Sequence, residues 1–470
     1  MTPRRLTYAI ASTALVISGA AFLAFAREGD AEATIEIDSS RTFQTIGGWE
    51  ATIDLPDNEK GDPLLKARDW LFDKAVDDLG LNRVRLEIRS GAESRSRSWD
   101  RYQSGELTYK EWRPFRYTTE NDNDDPNVID WSGFDFSELD QMIEQQVEPL
   151  RGRLAARGET LFVNLCYVAF TKQIKGGAYI HDDPDEYAEF ILATSLHIRD
   201  KYGFEPDSWE VILEPDLVPQ WTPRRVGDAI VATAERLEEN GFTPRFVAPS
   251  VTNTANAPRF IDAIARVDGA MRYVSEFSYH RYRMATQTNV REIARRGEKF
   301  DKPTSMLELW FGRANSRVLF EDLTVGNVSA FQGRTLFGHF KVADSGAGAA
   351  RISYNKEIAE NRQVYKYVRA GAVRIGAGSD RNTATPAAFV NPDGGMVVAI
   401  RMTEPATVRL TGMRPGAYAV SYASGGKIVD DAGSLTIGND GKGEATMPAA
   451  GVMTIAASTS GRDPTADSLK

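Results

Sequence analysis

Cysteine and histidine are scarce in this 470-residue chain, which holds one cysteine and four histidines. The single cysteine, Cys166, excludes a disulfide within the chain. The four histidines are scattered, and with one cysteine they match no zinc-binding spacing. The sequence therefore predicts no structural zinc site.

An excess of positive charge is also missing. The chain has 56 Lys and Arg against 66 Asp and Glu, a formal net charge of −10, so no nucleic-acid partner is expected. No glycine-rich phosphate loop follows the first strand pattern, which argues against the alternative of an open, doubly wound nucleotide-binding sheet.

The N-terminus carries an apolar run typical of export signals. Arg4 and Arg5 precede YAIASTALVISGAAFLAFA, and Ala24 and Ala26 fit an A-x-A cleavage site. The pattern predicts a signal peptide over residues 1–26, a secreted or periplasmic protein, and no stable membrane insertion after cleavage. Because the run is long, an uncleaved N-terminal anchor is the alternative.

Short apolar strands alternate with amphipathic helices over most of the chain. The strand patterns include NRVRLEI, TLFVNL, WEVILE, RFVAPS, YVSEFSYHRY, TSMLELW and NVSAFQG. The helix that begins at Thr222 and stops at Gly241 has signals at both ends. Parallel strands need helical crossovers, and about eight such units predict a closed (β/α)8 barrel, a TIM barrel, over residues 47–370.

The pattern changes beyond residue 370. Short β runs such as MVVAIRM, ATVRLTG and YAVSYA are separated by Pro-, Gly- and Asn-containing turns. They predict a small antiparallel β-sandwich over residues 371–458, followed by a disordered tail over 459–470.

One polar insertion, residues 90–134, interrupts the barrel pattern and contains NDNDDP. It is predicted to be a solvated loop. Its clustered Asp and Asn residues suit calcium, but the EF-hand spacing with its glycine is missing.

Two glutamates stand at the carboxyl ends of predicted apolar strands. One strand runs into Glu214, which precedes Pro215, and another runs into Glu308. In a (β/α)8 barrel these strand ends form the active site, so both carboxylates are expected at one mouth. Each glutamate alone is as well explained by an ion pair. Two carboxyl groups facing one pocket are what glycoside hydrolysis requires, one to donate a proton and the other to attack.

The chain resembles the clan A glycoside hydrolases, and most of all family 30, which includes glucosylceramidase-like and endo-β-glycanase enzymes. In that clan the acid/base glutamate ends strand four, typically before a proline, and the nucleophile glutamate ends strand seven. The resemblance implies that Glu214 is the acid/base and Glu308 the nucleophile. GLNRVRLEI resembles the strand-two segment whose arginine, here Arg85, supports the nucleophile. SYHRY resembles strand six, which implies that His280 and Tyr282 lie near the nucleophile.

Two further segments resemble family 30 at the ends of the barrel. KYVRAGAVRIGAGS resembles the entry into the family's β-sandwich, and FQTIGGWEA resembles its first barrel strand. Together with the alternating ATIEID pattern, this resemblance implies that residues 34–46 form a strand that joins the C-terminal sandwich. The resemblance extends over residues 34–458.

The chain departs from the clan directly before the acid/base. The clan usually has an asparagine there that bonds the sugar 2-hydroxyl, whereas this chain has Leu213, which cannot make that bond. The strand-three stretch NLCYVAF also lacks the expected Trp-Ser-Pro character. These departures concern the identity of the substrate more than the mechanism.

Aromatic residues at or just after predicted strand ends are candidates for a sugar platform, because the C–H face of a sugar stacks on such rings. They are Trp49, Tyr167, Trp221, Tyr279, Tyr282 and Trp310. Aromatic residues are more often core than platform, so about half are expected to touch ligand. Glu50, beside Trp49, is a further candidate for substrate contact, whereas Glu87 is expected to pair with a barrel arginine.

The sequence therefore predicts a secreted, retaining β-glycoside hydrolase that acts on an oligo- or polysaccharide through a covalent glycosyl-enzyme. This mechanism requires no cofactor and no metal, and a monomer is expected. The alternative is a non-catalytic carbohydrate-binding protein on a degenerate TIM barrel. Leu213 favours that alternative, and the presence of both glutamates opposes it.

Overall fold

The structure is a computed structural model that describes residues 31–53, 66–175, 177–343 and 351–458. The first described element is strand β1 (Ala31–Thr45). The predicted signal peptide and the predicted disordered tail lie outside the described residues. No described helix is both long and apolar enough to cross a lipid bilayer.

Eight parallel strands close into a barrel in the order of the sequence, which confirms the predicted fold class. They are β2 (Gly48–Ile53), β3 (Arg83–Arg89), β4 (Phe162–Val168), β5 (Ser208–Glu210), β6 (Phe246–Asn253), β7 (Val274–Arg283), β8 (Thr304–Glu308) and β9 (Val328–Thr335). The fourth strand is shorter than the WEVILE pattern predicts, because regular pairing ends at Glu210.

Helices pack around the barrel and place their apolar faces on it. They are α1 (Arg68–Asp73), α2 (Ser98–Gln103), α3 (Tyr109–Trp112), α4 (Ser137–Met142), α5 (Glu148–Ala156), α6 (Pro184–Tyr202), α7 (Pro223–Glu239), α8 (Ala257–Ile264), α9 (Ala270–Tyr273), α10 (Gln287–Phe300), α11 (Ser316–Thr324) and α12 (Lys356–Tyr365). Wider π turns, Lys74–Leu79 and Ile143–Val147, extend α1 and join α4 to α5. Single 3₁₀ turns are Ser90–Ala92, Arg113–Arg116, Trp131–Gly133, Thr171–Gln173, Pro215–Leu217, Thr254–Asn256 and Phe337–His339.

The insertion at residues 90–134 is more ordered than a solvated loop. It contains α2 and α3, and Trp99 and Trp112 are buried with ring centroids 5.1 Å apart. The apolar area of these two rings is removed from water, which anchors the insertion to the barrel. The expectation of a solvated loop was therefore wrong for this part of the chain.

The C-terminal strands form a ten-stranded sheet that curls around its own apolar core. After the hairpin of β10 (Phe340–Ala343) and β11 (Arg351–Tyr354) come β12 (Val373–Ser379), β13 (Ala384–Val390), β14 (Met396–Met402), β15 (Ala406–Thr411), β16 (Gly416–Ser424), β17 (Lys427–Val429), β18 (Ser434–Ile437), β19 (Gly443–Met447) and β20 (Gly451–Ala457). The strand order is β17-β16-β20-β14-β13-β12-β1-β15-β19, with β18 beside β16.

Strand β1 lies inside this C-terminal sheet, as the fold prediction allowed. It pairs antiparallel with β12 and parallel with β15, and Ile35 and Ile37 are buried in the core of the sheet. Breaks in register after Asp38 and Thr42 bend β1 before the chain enters the barrel. The sandwich is thus one continuous curled sheet with one parallel pair, because β1 joins its two halves.

Candidate active site

The two predicted carboxylates meet at the C-terminal mouth of the barrel. Glu308 is the last residue of β8, whereas Glu214 follows the end of β5 by four residues. One donor atom from each of Glu214, His280 and Glu308 lies within 4.8 Å of the other two. All three side chains are buried or nearly so, at 7%, 0% and 5% exposure.

Backbone contacts outside the regular strand position Glu214. The Leu213 amide donates to the Tyr167 carbonyl at 2.9 Å, and the Glu214 amide donates to the Ser250 carbonyl at 3.1 Å. These bonds tie the segment to β4 on one side and to β6 on the other. Glu214 itself adopts left-handed φ and ψ angles of 53° and 54°, and Pro215 then begins a 3₁₀ turn. A glutamate in this conformation costs on the order of 1 kcal/mol, a kind of strain that clusters at functional sites.

Hydrogen-bond donors engage both oxygens of Glu308. Arg85 donates from Nη2 to Oε2 at 2.5 Å, and the Tyr282 hydroxyl donates to Oε1 at 2.7 Å. Burial alone raises the pKa of Glu308, but the charges of Arg85 and His280 and these hydrogen bonds outweigh it and lower the pKa below its ordinary value. Glu308 is therefore ionised at neutral pH.

The surroundings of Tyr282 keep its hydroxyl protonated, and those of Arg85 fix its guanidinium, so both donate to Glu308. Burial and the charge of Glu308 raise the pKa of Tyr282, so its hydroxyl keeps its proton and donates. Arg85 also donates to Glu87 Oε1 at 3.1 Å and to the Leu307 carbonyl at 3.4 Å, which fixes the guanidinium between strands β3 and β8.

His280 contacts Glu214 rather than Glu308. Its Nδ1 lies 3.0 Å from Glu214 Oε1, which is a hydrogen-bond distance whether the proton is on the histidine or on the glutamate. Burial lowers the pKa of His280, but the charges of Glu308 and Glu214 and the hydrogen bond with Glu214 outweigh burial and raise it. The pair thus forms a short relay beside an ionised carboxylate.

Trp310 is the remaining predicted site residue at this mouth. Its backbone amide donates to the Tyr282 hydroxyl at 3.3 Å, and its ring is partly exposed. Its indole Nε1 is buried and donates to no described residue. Trp310, two residues after Glu308, therefore remains a candidate for substrate contact.

Three predicted aromatic residues, Trp49, Tyr167 and Trp221, lie away from the two carboxylates. Trp49 stacks on Tyr365 of α12 with ring centroids 4.6 Å apart and donates to the Val368 carbonyl. Tyr167 and Trp221 both bond the Tyr179 hydroxyl, behind β4. Successive side chains of a strand point to opposite faces, and these rings face the helices rather than the barrel axis.

Tyr279, on β7 beside His280, points outward for the same reason. Its hydroxyl donates to Asp322 of α11 at 2.7 Å. Glu50 points inward but lies near the N-terminal end of the barrel, where Arg83 Nε donates to it at 2.5 Å. Burial, with the charges of Glu210 and Glu276, outweighs Arg83 and raises the pKa of Glu50 to about 7. Of the aromatic residues predicted to form a sugar platform, Tyr282 and Trp310 thus remain as candidates at the mouth.

Leu213 lies in a small apolar cluster that the sequence pattern did not predict. It is 5% exposed and packs with Tyr117, Cys166 and Val168. Tyr117 comes from the insertion, almost 100 residues earlier, so no local pattern could have indicated this contact. Cys166, at the centre of β4, serves here as a small apolar side chain.

Glu214, His280 and Glu308 are also the one set of three donors among the described residues with a spacing suited to a metal ion. Both oxygens of Glu308 are already occupied by Arg85 and Tyr282. A cation bound there would be repelled by the nearby Arg85 guanidinium. The charge of Arg85 therefore disfavours a metal ion at this set of donors.

No family model and no curated protein matches the sequence. Solved structures do match the fold. A GH30 endoxylanase from Clostridium papyrosolvens C71 has a TM-score of 0.64 and 16% identity, over 91% of this chain and 100% of its own. An endo-beta1,6-glucanase has a TM-score of 0.60 and 14% identity, over 90% and 94%. A conserved exported protein from Bacteroides fragilis has a TM-score of 0.64 and 13% identity, over 90% and 100%. The family 30 resemblance suggested by the motifs is confirmed at the level of the fold.

Proposed function

We propose that the protein is a retaining β-glycoside hydrolase in which Glu308 is the nucleophile and Glu214 the acid/base. The observation that carries the proposal is the pairing of an ionised Glu308, held by Arg85 and Tyr282, with a second carboxylate whose donor atom lies within 4.8 Å. Retaining enzymes separate their carboxyl groups by about 5–5.5 Å and inverting enzymes by about 6.5–9.5 Å. The short separation supports the retaining mechanism.

In the first step, a Glu308 oxygen attacks the anomeric carbon and forms an ester bond. The glycosidic C–O bond breaks, and the proton of Glu214 passes to the leaving oxygen. Arg85 and Tyr282 keep Glu308 ionised and oriented, so little reorganisation is needed as its charge moves into the new bond.

In the second step, Glu214 takes a proton from water as the water oxygen attacks the anomeric carbon. The ester bond to Glu308 breaks and the carboxylate returns to its donors. His280 at 3.0 Å fixes the Glu214 carboxyl and can share its proton in both steps. No metal or cofactor enters either step.

The proposed substrate is a β-linked oligo- or polysaccharide, and the proposed location is secreted or periplasmic. The similar structures include an endoxylanase, an endo-beta1,6-glucanase and an exported protein, which supports both statements. A monomer is proposed. The second candidate function, a carbohydrate-binding protein without activity, is favoured by Leu213, which offers the sugar no hydrogen bond.

Two variants test the mechanism on a panel of dinitrophenyl β-glycosides. Glu308→Ala loses the attacking atom and is expected to be inactive on every substrate. Glu214→Ala loses only proton transfer and is expected to cleave good leaving groups, with azide restoring the slow second step and yielding a β-glycosyl azide. A product of inverted configuration contradicts the mechanism. Binding of glycans without hydrolysis of any substrate by the wild-type protein favours the second candidate.

A further inference from the structure

A single nitrogen of Arg85 donates to two carboxylates, and one of them has no part in the proposed mechanism. Arg85 Nη2 donates to Glu308 Oε2 at 2.5 Å and to Glu87 Oε1 at 3.1 Å. Glu87 follows Arg85 by two residues on β3, so both side chains point to the inner face of the barrel. Arg85, Glu308 and Glu87 are all buried, at 0%, 5% and 8% exposure. Glu308 and Glu87 therefore share one buried cation.

Glu87 has a second arginine on its other side. Arg89, two residues further along β3, places Nη2 3.8 Å from Glu87 Oε2 and donates to Glu138 of α4. The Arg89 contact is an ion pair beyond hydrogen-bond distance, whereas Arg85 bonds Glu87 directly. Charges of alternating sign thus extend from the nucleophile to α4, in the order Glu308, Arg85, Glu87, Arg89 and Glu138. Glu87 is held mainly by the arginine that also holds Glu308.

Other charged and titratable groups surround these two carboxylates without linking them. Glu308 is also close to Glu214, His280 and Tyr282. Glu87 is also faced from β4, from the insertion and from the start of α4, by Cys166, Arg116, Tyr117, Asp135 and Glu138. Glu210 of β5 acts on Arg85 through its charge. Among the described residues, Arg85 is the donor that Glu308 and Glu87 have in common.

We propose that Glu87 is a positioning residue that divides Arg85 between two carboxylates and so limits how strongly the arginine holds the nucleophile. This inference rests on the proposed role of Glu308. When Glu308 attacks, its negative charge passes into the new ester bond, and much of its attraction to Arg85 is lost. An arginine that served Glu308 alone would stabilise the free carboxylate more than the transition state, so the attack would be slower. Glu87 lowers that cost because it takes up one hydrogen bond of the shared nitrogen.

Loss of the Glu87 charge is expected to affect the two chemical steps in opposite directions. In Glu87→Gln, Arg85 has Glu308 as its one charged hydrogen-bond partner, so the Glu308 carboxylate becomes less basic. A less basic carboxylate is a weaker nucleophile in the first step and a better leaving group in the second. We expect ester formation to slow about three- to tenfold and ester hydrolysis to accelerate by about the same factor. A purely structural role for Glu87 predicts that both steps slow together.

Intact-protein mass spectrometry of the full chain follows both steps. The probe is a dinitrophenyl 2-deoxy-2-fluoro-β-glycoside of the sugar whose dinitrophenyl glycoside the wild type hydrolyses fastest. The fluorine slows both steps, so the ester on Glu308 persists long enough to be measured. The gain of mass gives the rate of ester formation, and the loss of mass after removal of the probe gives the rate of ester hydrolysis. Peptide mapping locates the label.

Two further variants complete the test. Arg89→Gln removes the second arginine from Glu87, which then draws more on Arg85, so faster ester formation and slower ester hydrolysis are expected. Because this variant keeps Glu87, it decides the question even where Glu87→Gln does not fold. Glu276→Gln is the matched control, since it removes a glutamate partner from the other β3 arginine, Arg83. Both rates are expected to be unchanged in Glu276→Gln.

The outcomes separate this proposal from the proposed mechanism. Two rates that slow together in Glu87→Gln, or that both stay as in the wild type, would overturn the role of Glu87 and leave Glu308 as the nucleophile. The same pattern in Arg89→Gln as in Glu87→Gln would also overturn it. A wild-type protein that carries no label on Glu308 would overturn the proposed mechanism and, with it, this role of Glu87.

Discussion

Two arginines of strand β3, Arg83 and Arg85, lie two residues apart on the same face and serve the two ends of the barrel. At the N-terminal end, Arg83 bonds Glu276 through both terminal nitrogens, at 2.7 and 2.8 Å, and Glu50 through Nε. Each of the three nitrogens of this guanidinium donates a hydrogen bond to a glutamate. A cavity of about 760 Å³ opens there, and Arg83 and Glu276 in its lining already bond each other.

At the C-terminal end, Arg85 is less completely used. It bonds Glu308, Glu87 and the Leu307 carbonyl through its terminal nitrogens, and its Nε donates to no described residue. Its main partner, Glu308, is also bonded by Tyr282 and stands within 4.8 Å of a second carboxylate.

Arginine–glutamate pairs therefore have different surroundings at the two ends of the barrel. At the base, the ion triad compensates buried charge. At the mouth, an ionised carboxylate close to a second carboxyl group is the arrangement that the proposed mechanism requires. Position along the strand decides between them, since the C-terminal ends of barrel strands carry the loops that admit substrate.

The sharpest test of this contrast compares two glutamates that each bond a β3 arginine. Glu308→Gln is expected to lower kcat/KM by about 10⁴-fold or more, because the amide cannot attack, with a small change in stability. Glu276→Gln is expected to lower the free energy of unfolding by about 2 kcal/mol, because Arg83 loses a charged partner, and to keep near wild-type activity per folded molecule. Kinetics and urea unfolding of both variants check this, and strong inactivation by Glu276→Gln contradicts it.

The arginines themselves give the next largest effect. Arg83→Met leaves Glu50 and Glu276 buried without a cation, so the free energy of unfolding is expected to fall by about 3–5 kcal/mol at pH 7. Arg85→Met is the matched change at the mouth. Without Arg85, burial raises the pKa of Glu308, so the acid limb of the kcat/KM profile is expected to move to higher pH. A larger loss of stability in Arg85→Met than in Arg83→Met would reverse the assignment of the two ends.

The fold was predictable because its signals are periodic. Alternating strands and helices indicated eight barrel units, and the β1 pattern with the family resemblance indicated a strand in the C-terminal sheet. Glu214 and Glu308 were predictable as a pair because the C-terminal ends of barrel strands meet at one mouth. Their partners Arg85, His280 and Tyr282 came from the resemblance, and the structure brings them together.

The remaining residues depended on contacts that sequence spacing does not encode. Trp49, Tyr167 and Trp221 stand near strand ends, but their rings face the helices. Alternation along a strand, counted from Arg85 or His280, predicts whether a side chain faces the barrel axis only for residues of that same strand. The Glu50 side chain faces the barrel axis but lies near the N-terminal end of the barrel, away from the two carboxylates. The packing of Leu213 on Tyr117 depends on how the insertion folds over the mouth, which no local pattern shows.

The pH dependence of the free energy of unfolding reports the protonation of Glu50 near the N-terminal end of the barrel. The pKa of Glu50 is raised from 4.5 to about 7, so its folded-state stabilisation is greatest below pH 4.5 and is lost as pH rises toward 7. The difference corresponds to about 3 kcal/mol. Glu50→Gln, which cannot ionise, is expected to lose this part of the pH dependence between pH 4.5 and 8 in urea unfolding. An identical pH dependence in wild type and variant contradicts a proton on Glu50.

The smallest expected effect concerns Leu213, an apolar residue at the reactive end of the barrel. Its side chain is 5% exposed and packs on Tyr117, Cys166 and Val168, so it contacts protein rather than sugar. Leu213→Asn puts an amide among these groups without a partner and is expected to cost about 1–3 kcal/mol in the free energy of unfolding. The kcat/KM of the folded variant is expected to stay within about threefold, because the mechanism uses Glu214 and Glu308. Leu213→Met, which preserves volume, is the control and is expected to cost less than about 1.5 kcal/mol. A rise of tenfold or more in activity on simple glycosides for Leu213→Asn, but not for Leu213→Met, would contradict this expectation. Residue 213 would then face the sugar 2-hydroxyl and contribute to substrate specificity rather than to packing.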